Sequence, residues 1–372
     1  MYSKKINFFK PLLVNFCRIV NCGLNKNQFG MLRGFSPLHL NWTEIISLKN
    51  IRRKKIMSKR SNKVGKKNYV DQNEVGKTNY VDQEIYLMVQ EKYHQELKKS
   101  TKAQQYLKER GITKKQVVDH KIGYAPGGTI MKDYLMKKGI SRKRLNELGL
   151  LNRKENDFFF KRIMFGNPLY GRDIGTSFLK HLYNHKSGDE QLYNYNSDYE
   201  EMLLVEGHFD LLTAERIFEK NNYDLPVVSS YGTNGILKRH VYQMKKSNLK
   251  KVYVAYDGDV AGRECAIKVA KKIPVKDVRI VELPSEQDIN GYWGQNDNDP
   301  KELIERIENA VPHNIFEINE IRKKYKLSSK TVKLEFVNRV APLIRNDKDI
   351  ELVEKLINKE ENKNANRLKK SS

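Results

Sequence analysis

From residue 201 to residue 283 the chain alternates short apolar runs with amphipathic stretches. The apolar runs are 202–205, 226–230, 251–256 and 278–283; the segments 209–219, 235–245 and 261–273 lie between them, with apolar positions at helical spacing. Runs this short and continuous predict strands buried on both faces, hence a parallel sheet with crossover helices. Upstream the pattern is mixed. Ile85, Leu87, Met88, Tyr93 and Leu97, then Ala103, Tyr106 and Leu107, predict helix over 84–112, stopped at Gly111. Short helices are predicted at 114–120, 130–138 and 141–148, and strands at the aromatic 158–165 and at 172–179. A polar, basic stretch follows at 180–196. After Pro300 the pattern is helical to about residue 360, and a charged tail ends the chain.

Before residue 84 the chain lacks this patterning. Residues 1–43 contain no acid, and Arg52-Arg53-Lys54-Lys55 makes a basic run. Val-Gly-Lys-Lys-Asn-Tyr-Val-Asp-Gln at 64–72 recurs with one change at 75–83, too polar to bury a core and therefore expected as linker. The expected division is a basic extension and linker (1–83), an α+β subdomain (84–200), the parallel-sheet domain (201–285), a helical subdomain (286–360) and the tail (361–372). An organelle transit peptide is the alternative reading of the acid-poor start; otherwise the expected location is cytoplasmic.

Composition adds a partner. Seventy Lys and Arg against 45 Asp and Glu give +25, the balance expected of a protein that meets a polyanion, with a soluble protein carrying basic tails as the alternative. No apolar run reaches the ~20 residues of a spanning helix. Cys17, Cys22 and Cys265 have no zinc-ligand spacing.

The candidate chemistry lies in two short motifs, Val-Glu-Gly-His-Phe-Asp (205–210) and Tyr-Asp-Gly-Asp-Val-Ala-Gly (256–262). Each follows a predicted strand and opens a predicted helix. Glu206, Asp257 and Asp259 are thereby placed at the carboxyl ends of parallel strands, where open α/β sheets bind ligands. Clustered carboxylates repel one another unless a cation lies between them, and the hard oxygen donors suit Mg²⁺ or Mn²⁺. Asp210, one turn further on, shares or tunes that site, or serves only as a helix N-terminal charge.

The order Glu-Gly-x-x-Asp, Ser-Tyr-Gly-Thr-Asn (230–234), Asp-Gly-Asp-x-Ala-Gly resembles the TOPRIM domain of DnaG-type primases, topoisomerases and some nucleases. The flanks narrow this to the bacterial DnaG-type primases. Tyr-Leu-Lys-Glu-Arg-Gly-Ile (106–112), Ile-Gly-Tyr-Ala-Pro (122–126), Phe-Lys-Arg-Ile-Met-Phe (160–165) and Gly-Arg-Asp-Ile-Gly (171–175) are similar to the RNA-polymerase core of that family. So are Ile-Phe-Glu (315–317), Tyr-Lys-Leu-Ser (325–328) and Val-Ala-Pro-Leu-Ile (340–344).

The resemblance implies primer synthesis: RNA made from ribonucleoside triphosphates on single-stranded DNA within a primosome, with a replicative helicase as a further partner through an unknown contact. It implies metal ligation by Glu206, Asp257 and Asp259, with Glu206 alternatively a general acid/base. Asp288 fits the first position of the family's third acid motif, where Asn290 replaces the second acid. The resemblance further implies template or nucleotide contacts by Lys161 and Arg162, and by Lys180, Asn184 and Lys186; Arg172 is similar, and Thr233 and Asn234 are phosphate candidates. Tyr183, Tyr193 and Tyr195 are candidates for base stacking. The family's zinc-binding and helicase-binding domains are not recognised in the sequence. Two rival readings use the same acids: a TOPRIM nuclease, and a non-catalytic nucleic-acid-binding replication factor.

Overall fold

The computed structural model describes residues 80–370, apart from 167–168, 188–191, 231–235, 296–297 and 328. Thr233, Asn234, the basic extension and the first copy of the repeat lie outside the described residues. Of the described residues, those up to 313 form one compact unit; the helices from Asn314 onward belong to another.

The chain opens with α1 (Tyr80–Leu97), α2 (Thr101–Glu109) and α3 (Lys114–Asp119), then β1 (Gly123–Ala125), α4 (Ile130–Lys137) and α5 (Arg142–Glu147). Helix α1 begins inside the stretch expected as linker. Asp82 sits in its first turn, where a carboxylate favours helix, and pairs with Arg144 of α5. The antiparallel strands β2 (Arg162–Phe165), β3 (Tyr170–Asp173) and β4 (His181–Tyr183) follow, and a sheet forms in the order β1-β2-β3-β4. A strand was expected over 172–179, but β3 stops at Asp173. The Asp173 carboxylate accepts bonds from the Gly175 and Ser177 amides at 3.0 and 3.1 Å, which bends the chain into a hairpin loop.

The second sheet is built from β5 (Glu201–Val205), α6 (His208–Asn221), β6 (Val227–Ser229), α7 (Lys238–Lys246), β7 (Lys251–Ala255), α8 (Val260–Ala270) and β8 (Asp277–Ile280). Its order is β6-β5-β7-β8, all parallel, as the apolar runs predict. Met202, Leu203, Leu204 and Val205 have no exposure, because helices or the first subdomain cover both faces. Helix α6 ends at Asn222, which takes φ 50°, a left-handed cap that asparagine tolerates.

Residues 286–313 were expected to begin a separate helical subdomain, and they stay with the sheet instead. A π-helical turn (Asn290–Gly294) leads to α9 (Pro300–Glu308) and β9 (Val311–Pro312), which pairs antiparallel with β8. Trp293 is buried beneath this segment and its indole donates to the Asp299 carbonyl at 3.0 Å. One apolar core joins the two sheets, with Phe165, Tyr170 and Tyr193 packing into the same cluster as Leu203, Val205 and Phe209.

The other unit contains α10 (His313–Lys323), α11 (Lys330–Val340) and α12 (Asp347–Lys370) around Ile318, Phe336, Val340 and Val353. Among the described residues no helix is long and apolar enough to cross a membrane. The architecture is α/β, with a mostly parallel sheet, an antiparallel sheet before it and helices after it.

Candidate active site

Strand β5 sends its chain to β6 on one side, while β7 lies on the other. That is a topological switch point, and a crevice opens there at the strand ends. Val205 of β5 faces Ala255 of β7 in register, so Glu206 and Asp257 emerge next to each other. They line a pocket of about 200 Å³ together with Asp210, Asp288, Asn290, Arg110, Tyr170, Arg172, His181 and Tyr183.

The glycines of the second motif are dictated by close approach. A Cβ on Gly258 would lie 1.9 Å from the Pro284 carbonyl oxygen, and one on Gly262 would lie 2.3 Å from that of Asp257. The Gly258 amide donates to the Gln287 carbonyl at 2.8 Å. This bond docks the 284–287 loop against the β7 end and so carries Asp288 into the pocket.

Asp259 has a different posture. It is the N-cap of α8, its carboxylate accepting from the Gly262 amide at 2.6 Å, and it does not line the pocket. Its negative charge nevertheless acts on both Glu206 and Asp257. Arg263 supports the same turn by donating to the Gly258 carbonyl.

The acids burden one another. Burial, then the charges of Asp257, Asp259 and Asp288, push Glu206 from 4.5 to about 7. Burial, then Asp288 and Asp259, push Asp257 from 3.8 to about 6. Asp210 is raised well above 3.8 by burial and by Asp288, Asp257 and Glu206, against the lowering effect of the bond from the Asn290 amide. Four carboxylates face two guanidiniums in one pocket, a surplus of negative charge that a divalent cation would match. Among the described residues no three His, Cys, Asp or Glu side chains close into a ready-made metal cage. The donor set therefore fits an ion such as Mg²⁺, held by one or two carboxylates and completed by water and phosphate oxygens, better than one demanding a full protein shell.

Asn290, which stands where the family's third motif has its second acid, is committed to hydrogen bonds within the protein. It is fully buried, and its Oδ1 accepts from Arg110 Nη1 at 2.8 Å and from Gln295 at 3.2 Å. Its Nδ2 donates to the Arg110 carbonyl and to Thr213 Oγ1, both at 2.9 Å, while its amide donates to Asp210 at 3.0 Å. A neutral side chain with both donors and acceptors is what this place requires. Asn290 fixes Arg110, whose guanidinium also lies over the rings of Tyr106 and Phe209 at 5.5 and 5.3 Å.

The pocket also holds a network around His181. Arg172 Nη1 lies 2.6 Å from His181 Nε2, and Tyr170 Oη lies 2.7 Å from Nδ1. A guanidinium only donates, so Nε2 accepts and Nδ1 carries the proton. Burial, then the charges of Arg172, Arg162 and Lys180, pull His181 from 6.5 to about 4, which keeps it neutral. Burial and then the Glu206 charge push Tyr183 up to about 12, so its phenol remains a donor. His208 also lines the pocket, its ring stacked on Tyr170 at 4.6 Å and tilted against Tyr193 and Phe165 at 4.4 and 4.7 Å.

The basic residues expected at the ligand divide. Arg172 and Tyr183 line the pocket, whereas Arg162 is buried and donates to the carbonyls of Gly171, Leu179 and Lys180. It organises the hairpin and is unavailable to a ligand. Asn184 is buried too, bonding the Leu148 carbonyl and the Lys186 amide, and the Lys186 carbonyl accepts from Tyr86. Neither lines the pocket. Lys161 and Lys180 are exposed and do not line it, and Tyr193 is packed in the core. Arg110 and His181 were missed as site residues. Arg110 lay within the quoted 106–112 motif, but only tertiary contact brings it to the acids.

Residues 92–174 match the family "DNA primase catalytic core, N-terminal domain", and residues 203–293 match the family "Toprim-like". The chain is 31% identical over 247 residues to the DNA primase of Staphylococcus epidermidis, covering 58% of this chain and 40% of that protein. It is also 31% identical to the DNA primase of Staphylococcus aureus strain MW2, with 58% and 39% covered. It thus spans about 40% of the length of these curated relatives. Among solved structures, a DnaG catalytic core superposes with a TM-score of 0.58 at 23% identity, over 75% of this chain and 97% of that one. The Escherichia coli primase catalytic core gives 0.56 at 22% identity, with 75% and 96% covered. A DnaG primase catalytic domain described as bound to ssDNA gives 0.58 at 23%, with 74% and 97% covered. These likenesses establish the fold.

Proposed function

We propose that this chain, a DnaG-type primase catalytic core with a Toprim domain, synthesises short RNA primers on a DNA template for replication. The observation that carries the proposal is the pocket at the β5/β7 switch point. It sets Glu206, Asp257, Asp288 and Asp210 against Arg110, Arg172, His181 and Tyr183.

In this reading Glu206 and Asp257, with Asp288, hold Mg²⁺ or Mn²⁺, and Asp259 adds charge from the helix cap. When bound, the metal would neutralise the charge that develops on the phosphate oxygens during nucleotidyl transfer. Arg110 and Arg172 would take the triphosphate of the incoming ribonucleotide, and Tyr183 would offer it a phenolic donor, a role supported by all three lining the pocket. The 3′-hydroxyl of the preceding ribonucleotide attacks the α-phosphate, and pyrophosphate leaves. Phosphoryl chemistry of this kind asks mainly for positioning and charge, which the pocket supplies. Template and ribonucleoside triphosphates are the proposed partners. The +25 charge suits the template.

The test is single-stranded template, Mg²⁺ or Mn²⁺ and labelled ribonucleotides. Short RNA products that disappear in Asp257→Ala support the proposal. Template cleavage instead of RNA synthesis would assign the same acids to a nuclease. Strand binding without any reaction would leave a non-catalytic replication factor.

A further inference from the structure

Next to the pocket, the loop joining β3 to β4 exposes apolar side chains that the fold does not use. Phe178 is 96% exposed and Leu179 54% exposed. Phe160, just before β2, is 54% exposed as well. Single exposed apolar residues are ordinary, but a nearly naked phenylalanine on a built loop is not.

The loop is held in place. Arg162 donates to the carbonyls of Leu179 at 2.6 Å, Gly171 at 3.1 Å and Lys180 at 3.2 Å. The Asp173 carboxylate ties the Gly175 and Ser177 amides, and the Ser177 hydroxyl accepts from the Leu179 amide at 3.2 Å. A buried arginine and an aspartate thus fix the backbone that presents Phe178. Two cations belong to the same hairpin. Lys180 follows in the chain, and Lys161 runs beside the Gly175 turn with its ammonium 4.9 Å from the Phe160 ring centre. The platform also adjoins the site. His181 lines the pocket, and the three steps from Phe178 to His181 span at most ~11 Å.

We propose that Phe178, flanked by Leu179, Lys180, Lys161 and Phe160, is a stacking platform that receives an unpaired base of a single-stranded nucleic acid at the mouth of the pocket. An aromatic face accepts any base, and neighbouring lysines take the phosphates on either side. A hydrophobic partner protein would not call for the cations; an unpaired strand uses both. The inference rests on the template-directed reading above, naming where the strand enters.

The test measures binding of a fluorescein-labelled oligo-dT by the full chain, by anisotropy, with EDTA and without nucleotides. Strand binding is thereby separated from any reaction. Phe178→Ala is expected to weaken binding about tenfold with an unchanged salt slope. Lys180→Ala is expected to lower that slope by roughly 0.7. Phe178→Trp is expected to bind as the wild type does, with its indole emission quenched by the oligonucleotide. The exposure of Phe178 leaves the unfolding temperature unaltered, and measuring it guards against misfolding. Wild-type affinity in Phe178→Ala, or an unquenched indole in Phe178→Trp under saturating oligonucleotide, overturns the platform. So does a loss in Phe178→Ala confined to duplex DNA or to a protein ligand. If the wild type makes no RNA while these binding results hold, the platform stands and the primase assignment fails. If RNA is made and Phe178→Ala binds normally, the reverse is true.

Discussion

Replacing Glu206 by glutamine should stabilise the metal-free protein while destroying its reaction. In the folded state Glu206 titrates at about 7 instead of 4.5, because it is buried among Asp257, Asp259 and Asp288. The folded state therefore holds that proton more tightly than the unfolded chain does. Below 4.5 both states are protonated and the group is neutral in its effect. Between 4.5 and 7, stability falls as pH rises, and above 7 the full cost of ionisation is present. At ~1.4 kcal/mol for each tenfold in proton affinity, that cost is about 3 kcal/mol, and solvent screening of the partly exposed carboxylate leaves roughly 2 kcal/mol. Glutamine keeps the shape without the charge. In EDTA at pH 8, Glu206→Gln is expected to unfold about 4–8 °C above the wild type. At pH 4.5 the gap should shrink to a few tenths of a kcal/mol, or ~1 °C. Mg²⁺ should raise the wild-type unfolding temperature more than that of the variant, since only the wild type recovers the repulsion. Thermal unfolding followed by circular dichroism reads all of this. Equal unfolding temperatures at pH 8 in EDTA would refute the reasoning, as would a gap that persists undiminished at pH 4.5.

Four further outcomes follow from the same geometry. Mg²⁺ affinity, measured by calorimetry, should rise with pH between about 5 and 8 and release protons, because Asp257 at about 6 and Glu206 at about 7 must ionise to bind it. Asp259→Ala should cost about 1 kcal/mol through the lost α8 cap, whereas Asp259→Ser should keep the unfolding temperature but weaken Mg²⁺ binding. Asn290→Asp should destabilise the fold by about 1–3 kcal/mol without tightening Mg²⁺ binding, since a carboxylate cannot donate to the Arg110 carbonyl; denaturant unfolding and calorimetry check both parts. Gly258→Ala should abolish RNA synthesis with the rest of the fold retained, because its Cβ meets the Pro284 carbonyl and pushes away the loop that holds Asp288; activity and far-ultraviolet circular dichroism separate the two effects.

The parallel sheet was legible because its signal is local. Runs such as 202–205 are buried on both faces, so their apolar character does not depend on knowing the neighbour. Glu206 and Asp257 were legible for the same reason, since a strand end followed by a helix fixes their position at the crevice. The first subdomain hid its polar residues. Arg162 and Arg172 both lie within four-residue strands, yet Arg162 pairs across from Asp173 and turns into the hairpin, while Arg172 pairs with His181 and turns to the pocket. A strand of four residues carries too little alternation to say which face is wet. Asn184 and Asn290 are buried polar groups whose partners lie 36 and 180 residues away, as Leu148 and Arg110.

The apparent loss of an acid at Asn290 shows how such a site keeps its balance. A fifth carboxylate beside Asp210, Asp257, Asp288 and Glu206 would raise every neighbouring proton affinity further and cost folding free energy that only a second cation could return. Asparagine avoids that cost and uses its two donors and its acceptor to hold Arg110. The pocket thus carries a neutral amide at this place and, bonded to it, a fixed cation. Under the proposed function, this composition puts weight on a well-placed guanidinium. Arg110→Lys, which keeps the charge but loses the planar fork, should therefore raise KM for ribonucleotides more than it lowers kcat. Equal KM in wild type and Arg110→Lys would show that Asn290 is there for packing alone.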